Sequence, residues 1–265
     1  MANIDRDIEN AIKNIDKKKK QILYKNPTKK TTKKITGKLN KPRNHGKPWT
    51  KNLKEEVIEL YKQGHSINKI SQRFERTSTS IELTIRENEI LDIISMRNIK
   101  NLFHFTDARN IETIKKYGIL PITRLNEKDI KYYANDLNRF DGQTGGISLS
   151  ISSRNHRLLK RYHERNPRSW VEIEISPEVA ATRNCLFYDY NAADSKFRNN
   201  LEFSEDYLQS PNAFSSMFSD RVESSKYSFN REDKKPFEPT SSQAEIIVRW
   251  LIPKSKILNF KEINV

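Results

Sequence analysis

The chain has 265 residues, 35% of them apolar, which suffices for one medium domain and a small one but not for two large ones. It has no run of about 18 apolar residues and no apolar stretch of the secretion-signal kind at its start, so no membrane span and no export are expected. Its one cysteine, Cys185, rules out an internal disulfide and makes a reducing, cytoplasmic compartment the expectation.

The net charge of +15 is unevenly placed. Residues 1–16 balance at −2 and residues 49–265 at +4, while residues 17–48 hold thirteen Lys or Arg and no acid. That segment opens on Lys17, Lys18, Lys19 and Lys20. It has too few apolar groups to offset its ordering entropy, so residues 1–48 read as a basic, largely disordered arm. Such an arm binds polyphosphate by counterion release, with a salt-sensitive affinity. A solubilising linker is the other reading. Ahead of it, Ile4, Ile8, Ile12 and Ile15 recur at helical spacing and predict a short amphipathic helix.

Residues 49–92 change character. Thr50 can cap a helix with Leu53, Val57, Leu60 and Tyr61 inward, stopped by Gly64. Ser66 can start a second through Ile67, Ile70 and Phe74, and Thr77 or Ser78 a third with Ile81 and Ile85 inward. The stretch resembles Myb-like and homeodomain-like helix-turn-helix modules, whose last helix enters the major groove. The alternative is a three-helix protein-binding module, because Glu82, Glu87 and Glu89 on the third helix repel phosphate.

The stretch 101–120, NLFHFTDARNIETIKKYGIL, reads as strand, turn, helix and stop. At strand period His104 and Thr106 share one face and Phe103 and Phe105 the other, giving a core side and a wet side that carries the two polar groups. On spacing alone such a pair is more often structural than functional. Asp107 can cap a helix with Ile111 and Ile114 inward, which Gly118 ends. Residues 123–146, with Arg124 and Arg139, read mostly as loop. Ile147 to Ile151 alternates with serines on one face, and Asn155 can cap a helix through Leu158, Leu159 and Tyr162. Trp170 to Ile175 reads as a strand. Residues 185–193, CLFYDYNAA, form the most distinctive motif of the middle. Residues 204–242 are long, irregular and aromatic-bearing, of the kind that stacks on unpaired bases or anchors itself to the core. Residues 242–248 predict a strand with Gln243 and Glu245 on the same side, where a carboxylate is costly unless it faces a cleft.

In order, His104-x-Thr106 with Asn110 and Gly118-Ile119, then Asn191-Ala192-Ala193, then Gln243-Ala244-Glu245 resemble the DarT family of DNA ADP-ribosyltransferase toxins over residues 101 to about 260. The resemblance implies an α+β fold, a split two-sheet ADP-ribosyltransferase core over residues 100–265 behind the small three-helix domain and the arm. It implies NAD as substrate, single-stranded DNA as acceptor, no metal, no membrane, and a cognate antitoxin with ADP-ribosylglycohydrolase activity. Glu245 would be the carboxylate beside the oxocarbenium-like transition state, and Arg139, preferred to Arg124, the cation at the pyrophosphate or reacting base. His104, Thr106, Asn110, Gly118, Ile119, Leu120 and Ser148 would hold NAD. Arg154, Gln243, Tyr227 and the lysines 17 to 20 would hold DNA. The alternative is a DNA-binding regulator whose NAD-binding domain is non-catalytic or modifies protein or RNA.

Overall fold

The computed structural model describes residues 41–134, 142–143, 145–182, 184–198 and 200–263. Lys17 to Lys20, Arg139 and the helix expected over residues 4–15 lie outside the described residues.

Pro42 to Val265 form one compact unit. It begins with three helices, α1 (Lys51–Lys62), α2 (Ile67–Phe74) and α3 (Ser78–Met96). Thr50, Ser66 and Thr77 cap them, each side chain accepting from the N–H three residues on, the arrangement expected of short hydroxyl side chains at a helix start. Val57, Leu60, Ile70, Phe74, Ile81 and Ile85 meet between the helices. Residues 42–48, read from sequence as the end of the arm, are tied to this bundle. Asn44 Nδ2 donates to the Phe74 carbonyl, and buried Arg76 lies over the Trp49 ring and donates to the Lys47 and Pro48 carbonyls.

Helix α3 does not stop at the small bundle. Ile90 and Ile94 in its second half, with Ile99 beyond it, belong to the main core. Along its 19 residues α3 carries Glu82, Glu87, Glu89 and Asp92 against one cation, Arg86, which donates to Gln209 Oε1 at 3.1 Å.

The larger part is built on a six-stranded antiparallel sheet in the order β4-β7-β2-β1-β3-β8. Its strands are β1 (Leu102–Asp107), β2 (Ile147–Ile151), β3 (Trp170–Ile175), β4 (Cys185–Tyr188), β7 (Glu245–Val248) and β8 (Ile257–Ile263), and a two-stranded hairpin of β5 (Arg221–Glu223) and β6 (Ser228–Asn230) stands apart from it. The connecting helices are α4 (Ile111–Tyr117), α5 (Ile122–Glu127), α6 (His156–Arg165), α7 (Glu205–Leu208) and α8 (Pro211–Ser216). Helix α5 falls in a stretch read from sequence as loop. It is a six-residue turn whose one buried anchor is Leu125, too short to show a helical period. No described helix is long and apolar enough to cross a membrane.

One face of the sheet, with Leu102, Leu149, Ile173, Ile246 and Phe187, packs on the end of α3 and on Phe214 and Met217 from the α8 region. The other face is covered in two separate patches. Leu186, Tyr188, Ile247 and Leu208 pack over the β4–β7 side, and Phe105, Trp170, Ile263, Leu159 and Tyr162 over the β1–β3–β8 side. Between the patches the sheet is split. Strands β1 and β2 pair only at Leu102–Ile151 and Phe103–Ser150, and then part.

Candidate active site

The cleft opens at that seam. Extending the β1–β2 register by two residues would set Phe105 against Ser148, yet no such pair forms; instead His104 Nδ1 lies 2.9 Å from the Ser148 carbonyl oxygen. A carbonyl only accepts, so Nδ1 carries the proton and the imidazole takes the place of a backbone donor. The side chain of His104 thus wedges the strands apart. The resulting cavity of about 310 Å³ is lined by His104, Thr106, Asn110, Gly118, Ile119, Leu120, Ser148 and Glu245, and beside them by Phe103, Phe105, Tyr133, Ser150, Asn191 and the α6 side chains Asn155, Leu158, Arg161, Tyr162 and Arg165. Its size and mixed aromatic and polar walls are those of a small-molecule site.

The faces of β1 are reversed from the expectation. His104 and Thr106 continue the main core face begun by Leu102, and the phenylalanines stand on the side of Ser148 and Ser150. Alternation states which residues share a face, not which face is covered. Thr106 is buried, and its hydroxyl accepts from Asn110 Nδ2 at 2.9 Å. The Asn110 amide is otherwise used on the loop above. Its Nδ2 also donates to the Tyr133 carbonyl, and its Oδ1 accepts from the Tyr133 N–H, both at 2.9 Å. Arg109 lies over the Tyr133 ring, 3.6 Å from its centroid, and grips Asp107 through Nε and Nη2 at 2.9 and 2.7 Å. With Arg168 adding a third contact, these donors hold the buried Asp107 carboxyl down to about 2, the hydrogen bond from Arg109 being the largest cause. As expected, Asp107 also caps the turn leading to α4 by accepting from the Arg109 N–H.

Gly118 is demanded twice over. Its φ is +80°, and a Cβ there would sit 2.3 Å from the Ile252 carbonyl oxygen. The next residue, Ile119, exchanges both backbone hydrogen bonds with Ile252 at 3.0 and 2.9 Å. That bridge turns the wall of the cleft and holds it against the chain leaving β7.

Glu245 is the first residue of β7 and shares its face with Ile247, the register partner of Ser148. The Ser148 hydroxyl donates to Oε1, and the Ala192 N–H donates to Oε2 at 3.1 Å. This gives the Asn191-Ala192-Ala193 motif a physical role. Asn191 Oδ1 accepts from the Ala193 N–H, closing a tight turn, and the turn presents the Ala192 N–H to the carboxylate. Gln243 precedes the strand and does not line the cleft. Its Nε2 donates to Tyr190 Oη at 3.0 Å, and the Tyr190 ring stacks on Phe229 of β6 at 5.4 Å. Tyr227 sits in the β5–β6 turn, 56% exposed and away from the cleft lining. Arg154 also lies outside the lining, ion-paired at 2.8 Å to Glu172, which is buried. Arg124 pairs with Glu127 and lies 4.9 Å from the Trp250 ring centroid. Sequence reasoning missed Arg161 and Arg165. The signal was available, since Asn155, Leu158, Tyr162 and Arg165 recur at helical spacing on one face of α6.

The α+β fold thus carries a sheet split at a wedged seam, with an aromatic cleft there and the Glu245 carboxylate, held by Ser148 and Ala192, at the start of a strand on its floor. The family model for "ssDNA thymidine ADP-ribosyltransferase, DarT" matches residues 103–263, and the chain belongs to that family. Among solved structures, Thermosipho africanus DarTG in complex with ADP-ribose is similar at 14% identity and a TM-score of 0.36, the match covering 61% of this chain and 43% of that one. The chain thus spans less than half the length of that structure's chain. No curated protein matches the sequence.

Proposed function

We propose that the cleft binds NAD and that Glu245 carries transfer of its ADP-ribose to a thymine base of single-stranded DNA. The observation that supports this is the fixing of the Glu245 carboxylate by Ser148 and Ala192 at the floor of a cleft. Breaking the nicotinamide glycosidic bond develops positive charge at the anomeric carbon, and a preorganised carboxylate stabilises that charge by several kcal/mol. Glu245 also takes the proton that the attacking base gives up.

The remaining roles follow from the contacts. His104, a wall of the cleft whose Nδ1 is committed to the Ser148 carbonyl, holds the adenosine-side ribose. Thr106 and Asn110 hold the Tyr133 loop over the substrate, and Gly118, Ile119 and Leu120 shape the wall with backbone. Ser148 acts through Glu245. Arg139 supplies positive charge to the pyrophosphate or the reacting base. Gln243 positions Tyr190, Arg154 anchors the start of α6, and Tyr227 is left exposed to stack on an unpaired base. Lys17 to Lys20 and the rest of the arm supply location through phosphate contacts. Helix α3, net acidic and half sunk in the core, favours the reading of the small bundle as a protein-binding module over one that enters a major groove. The whole protein acts as the toxin of a toxin–antitoxin or phage-defence system, restrained by an antitoxin that removes ADP-ribose.

The test incubates labelled NAD with oligonucleotides that contain or lack thymidine, using the parent protein and Glu245→Gln. Label should enter only thymidine-bearing strands. It should fall by about 10³-fold with Glu245→Gln, or about 4 kcal/mol of barrier, with NAD affinity little changed because the carboxylate's stabilisation grows mainly in the transition state. Near-parent labelling by a folded Glu245→Gln protein would remove the carboxylate from the chemistry.

A further inference from the structure

Residues 154–168 hold six Lys or Arg against one acid, Glu164. The structure sorts these cations into two kinds. Arg154 and Arg168 flank α6 and are spent on acids of the sheet, Glu172 and Asp107, at 2.8 and 3.3 Å. Arg157, Arg161 and Arg165 lie on α6 itself, are exposed, and among the described residues make no ion pair or side-chain hydrogen bond; Lys160, also exposed, reaches only Glu164 at 3.9 Å. Arg161 and Arg165, one helical turn apart, stand at the mouth of the cleft, whereas Arg157 and Lys160 lie on the helix outside it.

We infer that the outer surface of α6 is the track for the phosphate backbone of the single-stranded DNA acceptor, leading a strand to the cleft mouth through Arg157, Lys160, Arg161 and Arg165. The inference rests on the proposed DNA-directed activity and adds the residues that hold its acceptor. Charge complementarity alone would also suit the pyrophosphate of NAD. What favours a strand is extent. From Arg157 to Arg165 the helix rises about 12 Å, and two of the four cations lie beyond the walls that would enclose a dinucleotide. A compact ligand in the cleft cannot use them, while a polyanion entering it passes over all four. Arginine suits the task because its fork of donors matches phosphate oxygens and stays charged. The helix is a firm base for the track. Leu159 is buried with Trp170 and Ile263, and Tyr162 packs on Phe105 with ring centroids 6.2 Å apart.

The experiment measures direct binding, not transfer, so that it stands apart from the chemistry. Fluorescence anisotropy of a labelled oligothymidine is followed against salt for the full chain, for Arg157→Gln with Lys160→Gln, and for Arg161→Gln with Arg165→Gln. NAD affinity is measured for each by calorimetry. All four side chains are exposed, and melting curves check that the variants remain folded. Each pair should weaken oligonucleotide binding by about tenfold at low salt and reduce the salt slope by about 1.4, two phosphates at roughly 0.7 each on single strands. The outer pair should leave NAD affinity at the parent value. Parent-like oligonucleotide binding and slope in the outer-pair variant would overturn the track, as would a loss of NAD affinity from the Arg161 and Arg165 pair with DNA binding intact. A parent protein that binds the oligonucleotide but never labels it would sink the transferase proposal and leave the track standing.

Discussion

Ser148 and Glu245 are hydrogen-bonded across β2 and β7 although the register pairs Ser148 with Ile247. The bond runs on the diagonal, two residues off the rung, so it belongs to the side chains and not to the ladder. The same Ser148 accepts from His104 with its backbone carbonyl. One residue therefore holds the wedge of the seam with its main chain and the carboxylate with its side chain. Ser148→Ala separates the two jobs. The carbonyl stays, so the fold and the seam should be kept, while Glu245 retains only the Ala192 N–H among these two donors. We expect transfer to fall by about 10- to 100-fold, or about 1.4–2.7 kcal/mol, with melting temperature close to the parent. Ser148→Thr, if its hydroxyl takes the same position, should recover part of the rate. A single-turnover assay reads both, and an unchanged rate in the alanine variant would mean that Ser148 does not position the carboxylate.

Asp107 makes the fold sensitive to acid. Its carboxyl sits at about 2 in the folded chain, below the ordinary aspartate value of about 3.9, because Arg109 and Arg168 bond the charged form. A depressed carboxyl contributes stability that is whole above the unfolded value and is lost as pH falls towards the folded one. Denaturant titrations of the parent and Asp107→Asn should therefore differ by on the order of 2 kcal/mol above pH 5. The difference should shrink between about pH 4 and pH 2. A difference that stays constant across that window would place the cost in packing and not in charge.

Gly118→Ala should be among the most damaging small substitutions. The added carbon meets a backbone oxygen at 2.3 Å in a conformation of positive φ, and neither can be relieved by a side-chain rotation. A loss of about 2–3 kcal/mol is expected from strain of this kind, seen as a lower melting temperature together with weaker NAD binding, since the Gly118–Ile119 turn is a wall of the cleft. A variant of parent stability would show that the contact with Ile252 relaxes.

The two N-terminal segments should behave differently on removal. Deleting residues 1–40 takes away twelve Lys or Arg and four acids. The shortened protein should fold, bind DNA less tightly at low salt, and show a flatter salt dependence. Deleting residues 1–92 takes Ile90 out of the main core and Arg86 away from Gln209. That protein should melt early or fail to fold, through loss of a buried isoleucine and of the helix that seats Ile94. A stable 93–265 fragment with parent-like melting would show that the core closes without α3.

Much of this was legible in the chain because it is decided locally. Thr50, Ser66, Thr77, Asp107 and Asn155 announce helix starts by chemistry that reaches only three residues, and Gly118 announces a stop. The residues expected at the NAD site, from His104 through Ser148 to Glu245, line one cleft. What was hidden depends on pairing at a distance. The core side of β1 is fixed by where β2 leaves it after Phe103–Ser150, and nothing within residues 101–107 encodes that parting. Arg154 looked available until its partner Glu172 came from another strand. Arg161 and Arg165 gain meaning only beside a cleft whose other walls come from distant strands. The stretch 204–242 looked shapeless because its order comes from single hubs, such as Arg231, whose guanidinium donates to the Lys235, Pro236 and Glu238 carbonyls.

Helix α3 begins under the small bundle and ends inside the transferase core, with no linker between. At 1.5 Å per residue its 19 residues make a shaft about 28 Å long. The small bundle is therefore carried at a set distance and angle from the cleft, as a jaw on a caliper is from its scale. A tether would let the two swing independently. A shaft makes them turn as one, so a change in the packing of α1 and α2 reaches the main core through the helix they share.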